Sequence, residues 1–327
     1  MGSVQFQSTR NLRAHEGLTI VVGFPKNIVS VLEPKEYIPF WQTIVGKILV
    51  FIFFVIGFLW YIFYPIHIIY RWFKYGRDPS TRSSISLRTR SGQVQSIGQG
   101  IVRAWYDPPR TSSGRFLTPA EVGTLTDEMV HLRDVFSIIV DLARQGYLKI
   151  EEKKKKEFYF EKNKDFSNDK KLLDFEKTLL DGIFETKDKV KIKDLKLYQT
   201  ICDIKQKIYD GLVKDSFFPK NPQKIRNFYI GIAVLAFITF NIPLAILSLI
   251  FGRIMPRKTE EGAGASNIGK SLKNFLSSQE RQLEFQAKNQ MFFEKLLPYA
   301  VAFGVEKIWA DKFKDINLQP QEWYQGY

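Results

Sequence analysis

The sequence is short of the residues that build most catalytic centres. It has one cysteine, Cys202, and three histidines, His15, His67 and His131. A single cysteine excludes an intrachain disulfide and a thiolate metal cluster. The histidines are scattered, none with a second ligand three or four residues away, so no metal site is expected. No serine stands in a nucleophile-elbow pattern, which leaves acyl transfer without support. Residues 1–39 lack an apolar stretch ahead of a small-residue cleavage site, so no signal peptide is expected there. Cys202 falls within an apolar helical pattern and is expected in the core rather than as a nucleophile.

Charge is missing from two long stretches. Residues 48–70 carry no charged side chain and are dense in Ile, Leu, Val and Phe. About 20 apolar residues at ~1.5 Å each cross a hydrocarbon layer of about 30 Å. Trp41, Trp60, Tyr61, Tyr64, Tyr70 and Trp72 gather mostly toward the distal end, as interfacial belts do. A transmembrane helix is therefore expected over 44–72. His67 lies inside this run four residues before Arg71, which favours a plain interfacial position. The second run, 228–251, is also uncharged, with Asn241 and Pro243 at its middle. Basic residues flank it on both sides, which fits a re-entrant hairpin better than one kinked span across 227–255. Each half of such a hairpin is too short to cross alone.

What charge there is runs strongly positive, +14 over 327 residues. Such a balance attracts polyanions, either nucleic acid or an anionic bilayer surface. Arg71, Lys74, Arg77 and Arg82 follow the first run with Asp78 as the only nearby acid. They are the candidate contacts to anionic lipid headgroups, and they put the N-terminus outside and the following domain in the cytoplasm. Residues 73–100 read as a basic, flexible linker rich in Ser, Arg and Gly.

Beyond the linker the pattern changes to that of a folded domain over 101–222. Thr118, Pro119 and Glu121 spell a capping box with proline at the first helical position. Val135, Ile138, Ile139 and Leu142 then mark one buried helix face, and Gly146 suits a left-handed cap. Two short strands follow, joined through Lys153, Lys154, Lys155 and Lys156. Helix, helix and basic-tipped hairpin outline a winged-helix unit. A weaker copy follows from Leu172 to Phe218, so the domain is either two such halves or one with an elaboration. Arg144 and the four lysines are the candidate contacts to a protein partner or to nucleic acid. Nucleic acid is not favoured, because the helix over 134–145 is otherwise largely apolar where a DNA-reading helix needs Arg and Lys. A helical C-terminal domain is expected over 259–316, with one stripe ending at Pro298, and a tail over 317–327.

One string imitates a nucleotide site. Gly264, Gly269, Lys270 and Ser271 satisfy the P-loop spacing letter for letter. A P-loop must leave a buried strand, and the residues before Gly264 are polar and come straight off the second apolar run. The match reads as coincidence, and no cofactor is expected.

Several strings taken together carry a family likeness: Gly76-Arg77-Asp78-Pro79, Tyr106-Asp107-Pro108-Pro109, Leu117-Thr118-Pro119-Ala120-Glu121, Gln145-Gly146-Tyr147-Leu148, Met255-Pro256-Arg257-Lys258 and Leu297-Pro298-Tyr299-Ala300. In this order they resemble an uncharacterised family of prokaryotic predicted membrane proteins, classed as a domain of unknown function. The resemblance implies an exported β-domain, transmembrane helices, a cytoplasmic winged-helix-like region and a helical end. It makes 1–40 the remnant of a truncated β-domain, with strands at 4–7 and 18–24.

The fold class expected is thus an α+β membrane protein in the cytoplasmic membrane of a prokaryote. The expected partners are an anionic lipid bilayer and an unidentified protein. The function expected is a membrane-anchored adaptor or signalling component, not an enzyme. A membrane-tethered DNA-binding regulator is the alternative, and a nucleotide-binding enzyme ranks behind both.

Overall fold

An uninterrupted apolar run with no helix breaker before Pro65 dictates the first element, α1, which spans Ile44–Gly76 in the computed structural model. Residues 4–25, 35–79, 85–88, 94–97, 107–154, 157–185, 187–278, 290–313, 321 and 323–326 are described. The chain divides into two units, 1–56 and 57–327. In the first, residues 4–25 form no strand and Val4, Val21 and Val22 are exposed. The strands expected at 4–7 and 18–24 are not formed among these residues.

α1 is 33 residues long, outlasting the expected 44–72, and is the one helix long and apolar enough to cross a membrane among the described residues. It widens to π-helical turns over Leu59–Phe63 and Trp72–Gly76. Where a flexible linker was expected, Ile85–Arg88 (β1) and Val94–Ile97 (β2) pair antiparallel.

Next come α2 (Pro119–Asp127) and α3 (Leu132–Arg144). The Thr118 side chain accepts from the Glu121 amide while the Glu121 carboxylate accepts from the Thr118 amide, which starts α2 as read from the sequence. Gly146, at φ +81, ends the α3 segment in the left-handed region that glycine enters without a steric penalty. Leu148–Lys154 (β3) and Glu157–Lys162 (β4) form the antiparallel hairpin, with Ile150 opposite Phe160. After α4 (Asp174–Phe184), the short strand β5 (Lys189–Lys191) pairs with β4. The supposed second half therefore extends the first sheet rather than building its own. α5 (Tyr198–Lys214) packs on α4.

The second apolar run is two helices, α6 (Pro222–Ile238) and α7 (Ile242–Ile254), each opened by an Asn cap and an early proline. They are antiparallel: the start of α6 meets the end of α7, where Gly252 lies so close to Tyr229 that a Cβ would sit 2.6 Å from the Tyr229 Cβ. Ile68, Tyr229, Ala236, Leu244, Ala245 and Met255 form a small apolar cluster holding the second half of α1 to this hairpin. At the hairpin tip the buried Asn241 donates to the Trp60 carbonyl at 2.8 Å and accepts from the Leu244 amide at 3.2 Å. Trp60 Nε1 donates to Thr239 Oγ1 at 2.9 Å. The π-helical turn exposes that carbonyl to Asn241, as such turns do when a side chain inserts.

α8 (Glu260–Ser277), α9 (Gln290–Phe303) and α10 (Glu306–Asp311) follow among the described residues. α9 runs through Pro298, which was expected to end it. These helices are no separate domain in packing terms: Leu272, Phe275, Leu296 and Trp309 share one core with Leu117, Leu142, Leu148 and Leu179. The expected tail also joins it, since Tyr324–Gln325 (β6) adds to β3 in parallel, giving a sheet ordered β5-β4-β3-β6.

Cys202 is exposed, against the core position expected. The buried face of α5 is Ile204, Ile208, Tyr209 and Leu212. Cys202 sits two residues, about 200° of helical rotation, from Ile204.

Candidate functional site

Asp78, two residues beyond α1, reaches the segment between α7 and α8. Its Oδ1 accepts from the Lys258 amide at 2.7 Å and its Oδ2 lies 3.2 Å from Lys258 Nζ. Lys258 is only 4% exposed. The same ammonium also pairs with Glu128, at the turn between α2 and α3. Glu128 holds φ +65 there. A non-glycine residue persists in this region only when its surroundings hold it, and here they do. Its carbonyl accepts from Arg226 Nη1 at 2.8 Å and from the Tyr209 hydroxyl at 3.3 Å. One ionic junction thus joins α1, the α2–α3 turn, α5, α6 and the α7–α8 segment.

A second feature involves the start of α6. A cleft of about 1130 Å³ opens between the last turns of α1, the end of α5 and the start of α6, with Met255 and Arg257 also on its wall. Arg71 lines it, as do Lys214, Lys220 and Lys224.

The residues singled out from the sequence have several fates. Arg71, Lys74 and Arg77 are exposed on or beside the last turns of α1. Lys74 lies over the Tyr70 and Tyr75 rings and Arg77 over Trp72 and Phe73. Arg82 lies outside the described residues. Arg144 pairs with Asp141 at 2.7 Å. Lys153 and Lys154 are exposed at the end of β3, Lys153 over the Tyr159 ring. Lys155 and Lys156 lie outside the described residues. The structure brings Arg71, from this set, to the cleft and none of them to the ionic junction.

The P-loop-like string is the interior of α8, so its amides serve the helix ladder instead of forming a phosphate cradle. Gly264, Gly269 and Ser271 are buried and Lys270 is exposed. A Cβ on Gly269 would approach Thr126 Oγ1 to 2.9 Å and the Val122 Cγ1 to 3.1 Å. The glycine is there because α2 crosses α8 at that point.

Two buried carboxyls titrate abnormally. Burial pushes Asp134 and Glu176 each up to about 7. Both are helix-start caps: Asp134 accepts from the His131 amide at 2.6 Å and Glu176 from the Leu173 amide at 2.8 Å. Among the described residues no group of three or more His, Cys, Asp or Glu is placed to hold a metal ion.

Sequence reasoning missed Lys258, Glu128 and Arg226, although Asp78 stood out as the lone acid in a basic flank and Lys258 lay in a familiar string. Nothing in the sequence pairs two residues 180 positions apart.

One helix long and apolar enough to cross a membrane, joined to a mixed α+β body, is the make-up of a predicted membrane protein. The chain belongs to the family described as predicted membrane protein (DUF2207), whose C-terminal domain it matches over residues 101–242 and 227–313. This agrees with the resemblance carried by the short strings. No curated protein and no solved structure matches the chain.

Proposed function

We propose that this protein is an adaptor anchored in the cytoplasmic membrane of a prokaryote, presenting its α+β body to a protein partner at the cytoplasmic face. α1 is the crossing, with Arg71, Lys74 and Arg77 at its cytoplasmic end, following the positive-inside bias. The α6–α7 hairpin is re-entrant. Its tip bonds to Trp60, and about 16 Å of helix separates Trp60 from Arg71 at ~1.5 Å per residue. That is about half of a ~30 Å hydrocarbon layer.

The observation that carries the partner reading is on α3. Leu132 and Phe136, one turn apart, are 55% and 58% exposed. The order α2, α3, β3–β4 follows a winged helix, but α3 is poorly equipped for a DNA groove. Its Arg133 and Arg144 are paired with Asp127 and Asp141 at 2.6 and 2.7 Å. An apolar side chain of a partner fits this face better than phosphate does. The exposed Lys153 and Lys154 at the hairpin end support the second reading, a membrane-tethered DNA-binding regulator.

A photo-crosslinking residue at Phe136 of the full chain, in native membranes, tests the proposal. A discrete adduct at Phe136, absent with the same probe at Tyr198 on α5, is the expected result. Equal labelling at both sites, or none at Phe136, contradicts it. Salt-sensitive duplex DNA binding by the solubilised chain would favour the regulator.

A further inference from the structure

We propose that the cleft between α1, α5 and α6 is a binding site for the phosphate headgroup of an anionic phospholipid. The inference rests on the membrane-anchored reading and deepens it, because it assigns the lipid to a defined site rather than to a general basic flank.

The cleft has both basic and apolar residues in its lining. Arg71, Lys214, Lys220, Lys224 and Arg257 line it, with Asp210 as the only carboxylate. Among the described residues none of these five cations makes an ion pair. The acid is already occupied: Asp210 accepts from Asn221 Nδ2 at 3.0 Å and from Gln206 Nε2 at 2.9 Å. Five cations lining one cleft favour an anion there, and a phosphate accepts charge-assisted hydrogen bonds from Lys and Arg.

The rest of the wall is mixed, with His67 and Asn221 among apolar and aromatic side chains. Ile225, Phe228, Tyr229 and Met255 line it, together with Tyr70. Phe228 and Tyr70 continue outward onto exposed apolar side chains of the membrane helices, among them Ile66 on α1 and Ile230 on α6. A soluble phosphate ester or a nucleic acid would use the cations and leave this wall bare. A phospholipid uses both, with its headgroup on the lysines and its chains along α1 and α6. The cleft, at about 1130 Å³, is larger than a headgroup alone requires. Tyr70 and Tyr75 are part of the lining, and amphipathic rings of this kind favour the membrane interface. The cations come from three places in the chain, so the site exists only when α1, the α5–α6 connection and the α7–α8 segment are assembled.

The test uses the full chain purified in zwitterionic detergent, with phosphatidylglycerol and phosphatidylcholine supplied in equal amounts and bound lipid read by native mass spectrometry. The variants are Lys220→Gln/Lys224→Gln/Arg257→Gln, Lys220→Arg/Lys224→Arg, and Lys153→Gln/Lys154→Gln as a control of equal character elsewhere. Phosphatidylglycerol is expected to be retained in preference to phosphatidylcholine. The triple variant loses this preference by on the order of 100-fold, from the removal of three interfacial cations. The arginine variant and the distal control keep it, and 10-fold excess inorganic phosphate does not displace the lipid. Equal retention of the two lipids, unchanged retention in the triple variant, or displacement by inorganic phosphate overturns the proposal, the last by assigning the site to a soluble anion. Carbonate washing of the source membranes separates this from the broader reading. A chain that stays in the pellet but shows no lipid preference sinks only the cleft, whereas a chain released by carbonate sinks the anchor.

Discussion

Lys258 Nζ lies 3.2 Å from Asp78 Oδ2 although 180 residues separate the two in the chain. Asp78 follows the apolar helix directly, and Lys258 follows the hairpin. The contact therefore clamps the segment after α1 to the segment after the α6–α7 hairpin, and Glu128 brings the α+β body into the same clamp.

Lys258→Met should remove the clamp while keeping the stem's packing. Deleting one partner of a fully buried pair costs about 3–5 kcal/mol; the loss here is smaller, because Asp78 is 43% exposed and Glu128 keeps Arg226 at 3.8 Å. The thermal midpoint of the purified full chain is expected to fall, and Lys258→Met/Glu128→Gln should recover part of the loss. A double variant as unstable as the sum of the singles would show that the charges act independently.

Stability should depend on pH in an unusual direction. The folded-state values of Asp134 and Glu176, about 7, lie above the ordinary carboxylate value of about 4. Between those values the folded chain holds protons that the unfolded chain has released, so unfolding free energy falls as pH rises from about 4 through about 7. Melting at pH 5 and pH 8 should show the higher midpoint at pH 5. Asp134→Asn with Glu176→Gln keeps acceptors for both caps and should flatten the difference.

Asn241→Leu removes the donor to the Trp60 carbonyl and the acceptor for the Leu244 amide. Two buried backbone groups lose a partner, at a cost of about 1–3 kcal/mol each. A lower thermal midpoint and faster proteolysis near residue 240 are expected. Thr239→Val removes only the Trp60 Nε1 bond and should do less.

Lys270→Ala should leave stability and any nucleotide affinity unchanged, because Lys270 is an exposed residue of a helix. Gly269→Val should destabilise the chain by pushing α8 off Val122 and Thr126. If Lys270→Ala abolished ATP binding measured by calorimetry, the helical reading of this string would be wrong.

Local rules carried far along this chain. The capping box at Thr118, the left-handed Gly146 and the length of the first apolar run were legible because each depends on near neighbours alone. The break of the second run at Asn241 and Pro243 was legible for the same reason, whereas the Asn221–Pro222 start of its first half was not read. The ionic junction was not, since Asp78, Glu128, Arg226 and Lys258 each look like ordinary surface charge until the fold brings them together. The P-loop string misleads because glycine serves close helix crossing as well as phosphate binding. Cys202 shows that neighbouring an apolar residue in sequence does not place a side chain on the apolar face, since it lies nearly opposite Ile204. The strands expected at 4–7 and 18–24 had the right composition, which alone does not pair a strand.

The exposed, unique Cys202 offers the most direct test that α1 crosses a membrane once and holds the α+β body at its cytoplasmic face. Full chain in sealed membrane vesicles is treated with a membrane-impermeant maleimide. Labelling of Cys202 in inverted vesicles, with protection in right-side-out vesicles until detergent is added, is the predicted result. Labelling of Cys202 in intact right-side-out vesicles would contradict it.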